Sequence, residues 1–329
     1  MKIKKRYLLP ILAILGFSVG PKPNYPAFDG AVVPLDIPLE ELDGYISEKE
    51  AGVANLKPNN QARIIWADSV RRTPYSVVYL HGFSASPMEG DPIHLEFAKR
   101  YGCNMYLARL AGHGIEDSEA FAKLTPKQMV DSAKEALAIG QLLGEKVILM
   151  SCSTGGTLSV YLTAKNPEKV AAQILYSPNI DLESSLSELL VWPWGLQIAR
   201  VVEGDHRSFT PPPGAEAYWT TSYRVEGLVA LKHLIKETMT DQNFLAIKQP
   251  LFAGYYYRNE EEHDHVISVQ KIQYFFDKTE TPAAEKRLVP FPDVKTHVVP
   301  NHFNSQDLES VRKETFAFAE EVLGLNPRE

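Results

Sequence analysis

The sequence predicts an α/β protein in which a mostly parallel sheet is covered by helices on both faces. From about residue 60, short apolar runs alternate with amphipathic stretches, which is the pattern of strands joined by crossover helices. Most of the apolar runs are continuous, as expected of strands that are buried on both faces. A content of 44% hydrophobic and 23% charged residues is also ordinary for a globular chain.

The order of the elements follows from these two patterns. Seven apolar runs predict strands: Ala62–Ala67, Ser76–Leu80, Asn104–Leu110, Lys146–Met150, Ala171–Tyr176, Pro250–Tyr257 and Arg287–Pro290. The amphipathic stretches that predict helices include Pro92–Tyr101, Pro126–Leu143, Thr157–Lys165, Val266–Phe276 and Asp307–Leu323. Residues 60–178 and 250–325 are therefore predicted to form one α/β core.

Residues 179–249 interrupt this alternation. They contain no convincing strand pattern, whereas Leu186–Val202 and Tyr223–Met239 read as helices. An insertion of this length between two core strands needs structure of its own. We therefore predict a helical cap above the sheet.

The N-terminal segment predicts export. The basic stretch Lys2–Arg6 precedes an apolar run of about 13 residues, Tyr7–Val19, which suits a signal peptide and is short for a membrane span. For residues 1–20 a signal peptide and an uncleaved membrane anchor both remain open, as does a buried N-terminal helix. Proline-rich residues 21–38 begin a predicted linker and N-terminal extension over residues 21–59. We expect the protein to be periplasmic, or anchored to the membrane and facing away from the cytoplasm.

Charge and cysteine content narrow the possible partners. The net charge is −7 and no dense basic stripe is evident, which argues against nucleic acid. The two cysteines, Cys103 and Cys152, are predicted to be buried thiols rather than a disulfide framework. His263 and His265 lack further ligands at suitable spacing, so neither a metal nor another cofactor is predicted. Nothing in the sequence indicates an obligate protein partner.

The sharpest local signal is a nucleophile elbow at Ser153. The apolar run ending at Met150 leads into a tight turn of small residues, and a helix follows. Such a turn holds the nucleophile with its hydroxyl projecting, so the residues two positions away on each side must be small. Here Ser151 replaces the usual first glycine, while Gly155 keeps the second. A plain strand-to-helix turn without a catalytic role is the alternative interpretation.

A second motif supplies hydrogen-bond donors for the oxyanion that forms when a serine attacks a carbonyl group. The apolar run Val77–Leu80 ends in His81, Gly82 and Phe83. Glycine at position 82 allows the backbone to turn so that the Phe83 N–H points into the site. The second donor is predicted to be the N–H of Thr154, which follows the nucleophile. We interpret His81 as a brace for the loop.

Three motifs in order carry a resemblance to a known family. The segments His81–Phe83, Arg109–Gly114 and Ser151–Gly155 resemble those of the α/β-hydrolase esterases, and within them the group of monoacylglycerol lipases and lysophospholipases. The resemblance extends over about residues 60–325. It implies that Arg109 and His113 shape the loop behind the site and take no part in the chemistry.

The same resemblance implies the other two members of a catalytic triad. In similar enzymes the acid follows a late strand in an Asp-x-Val context, and Asp264 has that context. The neighbouring run Glu260–Glu262 competes with it but reads as a solvated surface. The base is expected in a loop after the last strand, where His297 fits and His302 remains an alternative.

The resemblance therefore implies a serine hydrolase that cleaves carboxylic esters through an acyl-enzyme intermediate, with a small-molecule or lipid ester as substrate. Aromatic residues of the predicted cap, Trp192, Trp194 and Trp219, are expected to bind a medium or long acyl group. Other reactions on the same fold (C–C bond hydrolysis, amide hydrolysis or perhydrolysis) remain alternatives. An inactive binding or scaffold protein is a further one.

Overall fold

The central element of the structure is a seven-stranded sheet. The computed structural model describes residues 19–328, and the predictions made for residues 1–18 lie outside them. The strands of the sheet are β1 (Arg63–Ile65), β2 (Thr73–Leu80), β3 (Asn104–Ala108), β4 (Gly144–Cys152), β5 (Ala172–Tyr176), β8 (Leu251–Tyr256) and β9 (Lys286–Phe291). Their order is β1-β3-β2-β4-β5-β8-β9; β1 is antiparallel to β3, and the other neighbours are parallel. The predicted α/β class is confirmed.

Helices cover both faces of the sheet. In the described part of the chain they are α1 (Leu42–Ala51), α2 (Ile93–Tyr101), α3 (Pro126–Leu143), α4 (Thr154–Lys165), α5 (Gly195–Glu203), α6 (Glu226–Thr238), α7 (Asp241–Leu245), α8 (Val269–Lys278) and α9 (Leu308–Glu321). Helix α3 begins where the sequence predicts it, because Thr125 and Gln128 form a capping box and Pro126 occupies the first turn.

Alternate side chains of the central strands enter two different cores. Val78 and Leu80 of β2 pack in a cluster with residues of α3 and α4. Val77 and Tyr79 of the same strand pack in a second cluster with residues of α2 and α9. Successive side chains of a strand point to opposite faces, so a strand buried on both faces must be apolar throughout. This explains the continuous apolar runs in the sequence.

The register of the sheet brings the carboxyl ends of its central strands together. Leu80 of β2 pairs with Ser151 of β4, and Cys152 of β4 pairs with Tyr176 of β5. Tyr176 in turn pairs with Gly254 of β8. In open α/β sheets, ligands bind at the carboxyl ends of the strands. The loops after β2, β4, β8 and β9 are therefore placed at one edge.

The insertion between β5 and β8 is only partly helical. It contains a 3-10 helix (Ser185–Val191), α5, α6 and α7, but also β6 (His206–Ser208) and β7 (Ser222–Arg224), which pair as an antiparallel ribbon. The expectation of no strand in residues 179–249 is therefore wrong. Each strand has three residues and is mostly polar, so neither produces an apolar pattern. The division into core and cap stays a prediction.

The predicted helix Leu186–Val202 is also divided. The 3-10 helix ends at Val191, and α5 begins at Gly195. Between them Trp194 has a positive φ of 66°, a conformation that a helix interior does not allow. Pro193 in this stretch also removes a backbone donor.

The N-terminal extension is packed against the core. The interpretation of residues 21–38 as a linker is corrected, because Val32 is buried in the α3–α4 cluster and its N–H donates to Asn166 Oδ1 at 2.9 Å. Asn166 also donates to the Gly30 carbonyl at 2.7 Å. Helix α1 follows, although the sequence predicts no helix there. Within residues 19–328, no helix has both the length and the apolar character needed to cross a bilayer.

Candidate active site

Ser153 occupies a strained turn at the end of β4. Its backbone angles are φ 53° and ψ −118°, a conformation that residues other than glycine rarely adopt. The surrounding backbone holds it there: the Ser153 N–H donates to the Tyr176 carbonyl at 3.0 Å, and the Ser153 carbonyl accepts from Gly156 at 2.8 Å and Asn179 at 3.0 Å. The predicted elbow therefore has the backbone geometry that the motif requires.

The two small flanking residues fill different roles. A Cβ added to Gly155 would lie 1.9 Å from the Leu80 carbonyl oxygen, so only glycine fits there. At the other flank the hydroxyl of Ser151 is fully buried and accepts a hydrogen bond from Ser159 Oγ at 3.1 Å. Serine in place of glycine at position 151 is therefore accommodated without an unpaired polar group.

The loop after β2 holds the peptide between Gly82 and Phe83 in one orientation. The Gly82 carbonyl accepts from His81 Nδ1 at 2.9 Å and from the Ala85 N–H at 3.3 Å. In a planar trans peptide the carbonyl and the following N–H point in opposite directions, so the Phe83 N–H faces away from these partners. Among the hydrogen bonds of residues 19–328, none is donated by the N–H of Phe83 or of Thr154. Both remain available as oxyanion donors.

His81 braces this loop and is not a base. Besides its contact with the Gly82 carbonyl, its Nε2 accepts the Leu110 N–H at 3.0 Å. Burial, together with the nearby His113, holds the pKa of His81 well below its ordinary value. A neutral imidazole with one donor and one acceptor satisfies both contacts. The interpretation of His81 as a structural residue fits this geometry.

Asp264 and His297 form a buried pair. His297 Nδ1 lies 2.6 Å from Asp264 Oδ2, and the other carboxylate oxygen accepts the N–H groups of Val266 at 2.9 Å and Ile267 at 3.3 Å. Burial by itself raises the pKa of Asp264, but the charge of His297 and these hydrogen bonds outweigh it, so the pKa is lowered. Burial likewise lowers the pKa of His297, but the Asp264 carboxylate outweighs it and the pKa is raised. Asp264 is thus ionised and orients the imidazole.

The competing residues lie elsewhere. His302 Nδ1 is 3.0 Å from Asp91 Oδ2, and its side chain is 39% exposed. His263 faces Glu183 at 3.8 Å and its ring packs against His265. Of the two late histidines, only His297 contacts Asp264.

Ser153, Asp264 and His297 follow β4, β8 and β9 and share one edge of the sheet. Among the hydrogen bonds of residues 19–328, none joins Ser153 Oγ to His297, although Ser153 Cβ lies beside Gly82 and the charge of His297 acts on Glu89, which accepts the Gly82 N–H. Hydrogen bonds between a nucleophile and its base are often long without substrate and tighten when substrate binds. The arrangement consists of a serine at a strained bend, an imidazole paired with a buried carboxylate, and two N–H groups that donate no hydrogen bond among the described residues.

The three predicted acyl-binding tryptophans lie in different surroundings. Trp219 is buried and packs with Ala85 and Val298, which flank the oxyanion loop and His297 respectively. Trp194 donates its N–H to the Pro21 carbonyl at 2.9 Å, and the Trp194 ring packs against Gly20. Trp192 is 45% exposed. The structure therefore places Trp219 against the loops of the site.

Comparison with known protein families agrees with this geometry. A family model described as serine aminopeptidase, S33, matches residues 73–240, just over half of the chain. The chain belongs to this family. The matched region contains Phe83, Ser153 and Thr154 and ends before Asp264 and His297.

Solved structures with the same fold include several lipolytic enzymes. A structure reported for the metagenome-derived lipolytic enzymes LipS and LipT has 17% identity and a TM-score of 0.65, and covers 80% of this chain and 98% of that one. The monoacylglycerol lipase of Paleococcus ferrophilus has 13% identity and a TM-score of 0.56, and the match covers 77% of this chain and 95% of that one. A soluble variant of the Saccharomyces cerevisiae monoglyceride lipase has 11% identity and a TM-score of 0.57, and the match covers 80% of this chain and 92% of that one. No curated protein sequence matches the chain significantly.

These comparisons confirm the resemblance and the fold. The chain is a member of a hydrolase family with the α/β-hydrolase fold, and its structural neighbours include monoacylglycerol lipases. At these low identities the neighbours show the fold and not the substrate.

One residue beside the site has no signal in the sequence. Glu89 is 2% exposed, and its Oε2 accepts the Gly82 N–H at 2.7 Å. It lies in the short 3-10 turn Pro87–Gly90, where neither periodicity nor a motif distinguishes it from a surface acid.

The elbow geometry generates a prediction about its two flanks. We expect Gly155→Ala to reduce the free energy of unfolding by at least about 3 kcal/mol, because the new methyl group meets a backbone oxygen that cannot move aside. Ser151→Gly is the matched control and should cost only about 1 kcal/mol, the value of one lost hydrogen bond. Urea unfolding of both variants followed by circular dichroism measures the difference. Equal stability of the two variants would contradict the assignment of the tight flank to position 155.

Proposed function

We propose that the chain is a serine hydrolase that cleaves carboxylic esters through an acyl-enzyme intermediate. The observation that carries this proposal is the 2.6 Å contact between His297 and the buried Asp264, at the sheet edge where Ser153 occupies its strained turn. A serine hydroxyl is a weak nucleophile unless a base removes its proton, and an imidazole oriented by a carboxylate is such a base.

The mechanism follows from these positions. His297 accepts the proton of Ser153 Oγ as this oxygen attacks the ester carbonyl carbon. The resulting oxyanion accepts hydrogen bonds from the N–H groups of Phe83 and Thr154. His297 then gives its proton to the departing alcohol as the acyl-enzyme forms. Water, deprotonated by the same imidazole, attacks the acyl carbon. The bond to Ser153 Oγ then breaks, His297 returns the proton to Ser153, and the carboxylic acid leaves; Asp264 stays ionised throughout.

A medium or long acyl group is the substrate class that we propose. Trp219, Ala85 and Val298 give the loops of the site an apolar wall, and such a wall suits an acyl chain. The lipolytic activity named for the structural neighbours supports the same class. Trp192 and Trp194 stay predictions as acyl-binding residues.

Amide hydrolysis is the second candidate function, because the matching family is described by a serine aminopeptidase. An ester and an amide pass through the same oxyanion, so the triad alone does not separate them. The leaving group separates the two reactions. An amine leaves only after protonation, whereas an alkoxide is a better leaving group.

Labelling and turnover of Ser153 test the proposal. We expect wild-type protein to react with a fluorophosphonate probe and to hydrolyse p-nitrophenyl esters, with acyl chains of about eight or more carbons preferred over acetate because the wall at Trp219 is apolar. Ser153→Ala should lower kcat by at least about 10⁴-fold, because the covalent intermediate cannot form. Ser159→Ala, a buried serine on α4, is the matched control for labelling. Absence of wild-type labelling would favour a scaffold protein, and faster cleavage of aminoacyl p-nitroanilides would favour the peptidase.

The pH dependence of kcat/KM tests the base. His297 acts only when neutral, so kcat/KM should fall as the pH drops through the pKa of His297, with a midpoint above the ordinary histidine value of about 6.5. Asp264→Asn removes the charge that raises this pKa, so the midpoint should move to lower pH and kcat should fall by about 10⁴-fold. Asp91→Asn, at the partner of His302, should leave the midpoint unchanged. A shift in the Asp91 variant instead would identify His302 as the base.

We further propose that residues 1–20 direct the protein out of the cytoplasm. The supporting observation is the basic stretch followed by the apolar run. In a bacterial host, protein with a C-terminal tag should appear in the periplasmic or membrane fraction, whereas a variant without residues 2–19 should stay in the cytoplasm. Intact mass then separates cleavage from anchoring. Equal cytoplasmic recovery of both forms would reject export.

A further inference from the structure

A buried carboxylate lies behind the loop that carries the Phe83 N–H. Glu89 is 2% exposed and is not part of the proposed triad. Its Oε2 accepts the Gly82 N–H at 2.7 Å and the Tyr79 hydroxyl at 3.3 Å. An acidic side chain is almost never buried this completely unless it is paired. Its partners therefore indicate what it does.

The carboxylate of Glu89 lies close to the nucleophile. A Cβ added to Gly82 would be 2.7 Å from Glu89 Oε1 and 3.0 Å from Ser153 Cβ. The acid and the nucleophile are thus separated by no more than these two distances taken together. An added side chain at position 82 would displace one or the other, which accounts for glycine at this position.

The groups that face Glu89 come from several elements. They are Tyr79 from β2, the Cys152 thiol at the end of β4, the Gly82 N–H and His297 from the loop after β9. Burial raises the pKa of Glu89 to about 7, although all four of these partners act to lower it. Burial lowers the pKa of His297. The carboxylates of Asp264 and Glu89 both raise it.

We propose that Glu89 is a positioning residue of the site: its hydrogen bond to Gly82 aims the Phe83 N–H, and its carboxyl group acts on the His297 imidazole. This inference rests on the proposed hydrolase function. The Gly82 N–H is held by Glu89, while the Gly82 carbonyl is held by His81 and Ala85. With both polar groups of Gly82 fixed, the direction of the next N–H is fixed as well.

The same charge has two opposing effects on the reaction. A carboxylate near His297 stabilises the imidazolium that forms when Ser153 loses its proton. It also disfavours the oxyanion nearby, so the net effect of the charge on kcat is moderate. The charge of Glu89 acts most directly on the pKa of His297, so this pKa is the quantity to measure.

The first experiment isolates the charge. Glu89→Gln keeps an oxygen that accepts the Gly82 N–H and removes the negative charge. We expect the pKa of His297 to fall by about one unit, and the acid limb of kcat/KM to move to lower pH with it. NMR titration of protein labelled with ¹³C-histidine measures the pKa without turnover, and His297→Gln assigns the resonance.

Two further variants support this measurement. Glu50→Gln is the matched control, since Glu50 is also buried and accepts a backbone N–H, that of Ala62, but pairs with Arg109. It should not move the His297 resonance titration. Tyr79→Phe removes a donor to Glu89 and keeps the side-chain volume, so Glu89 stays neutral to higher pH. We expect the pKa of His297 to fall in this variant too, by a smaller amount. Tyr79→Phe therefore tests the same effect if Glu89→Gln does not fold.

The second experiment isolates the hydrogen bond. Glu89→Leu removes both charge and acceptor, so the Gly82 N–H loses its partner. We expect its kcat to lie at least about tenfold below that of Glu89→Gln, with KM within about threefold, because the oxyanion donor is misaligned only in the transition state. Circular dichroism and thermal unfolding establish that each variant is folded.

The outcomes separate this inference from the proposed function. A His297 pKa within about 0.2 unit of wild type in Glu89→Gln, or equal kcat in the Gln and Leu variants, would overturn the role of Glu89. If the wild type hydrolyses no ester and is not labelled at Ser153, the proposed function fails. The NMR titration still decides whether Glu89 sets the basicity of His297.

Discussion

The site depends on the backbone at Ser153 being held in a conformation that it would not adopt by itself. Such a residue costs of order 1–3 kcal/mol and persists only where its surroundings over-determine it. Here β5 accepts the Ser153 N–H through Tyr176, and α4 and the loop after β5 donate to the Ser153 carbonyl. The parallel sheet and the helix that follows β4 thus stabilise the bend at Ser153, the proposed nucleophile. The geometry of the site therefore depends on the same backbone hydrogen bonds that join the elements of the fold.

The electrostatics of the site follow from how its two buried carboxylates are paired. Asp264 receives two backbone N–H groups and an imidazole, and its pKa is lowered. Glu89 receives one N–H and a tyrosine hydroxyl, and burial raises its pKa to about 7. Groups whose environments push their pKa values apart take different roles in catalysis. One acid stays charged at neutral pH, whereas the other titrates there.

Much of this architecture could be predicted from the sequence. The apolar runs predict all seven sheet strands to within a few residues of their observed ends, because strands buried on both faces leave continuous apolar runs. Helix α3 was found with its observed ends, since a capping box and a proline mark its start. Asp264 and His297 followed from the resemblance, and the structure brings them together at 2.6 Å.

The features that were missed have a common cause. The ribbon of β6 and β7 is short and polar. Helix α1 buries Leu42, Ile46 and Glu50 at helical spacing, but the third is charged, so the apolar pattern has only two members. Glu89 is missed for a stronger reason. The groups that interact with it lie on β2, on β4 and in a loop that follows β9, so no window of sequence around residue 89 contains the information. Properties set by contacts between distant segments require the fold to be known.

The unequal flanks of the elbow show what the usual motif requires. Glycine is needed at position 155 because its Cβ would meet the Leu80 carbonyl oxygen, which belongs to a sheet strand and cannot rotate away. At position 151 the neighbour is the hydroxyl of Ser159, a group that can rotate and can also donate a hydrogen bond. A small polar side chain is therefore compatible with that flank. The requirement at each position is set by whether the facing atom is backbone or side chain, so a departure from the motif at the first flank is no evidence against a nucleophile at Ser153.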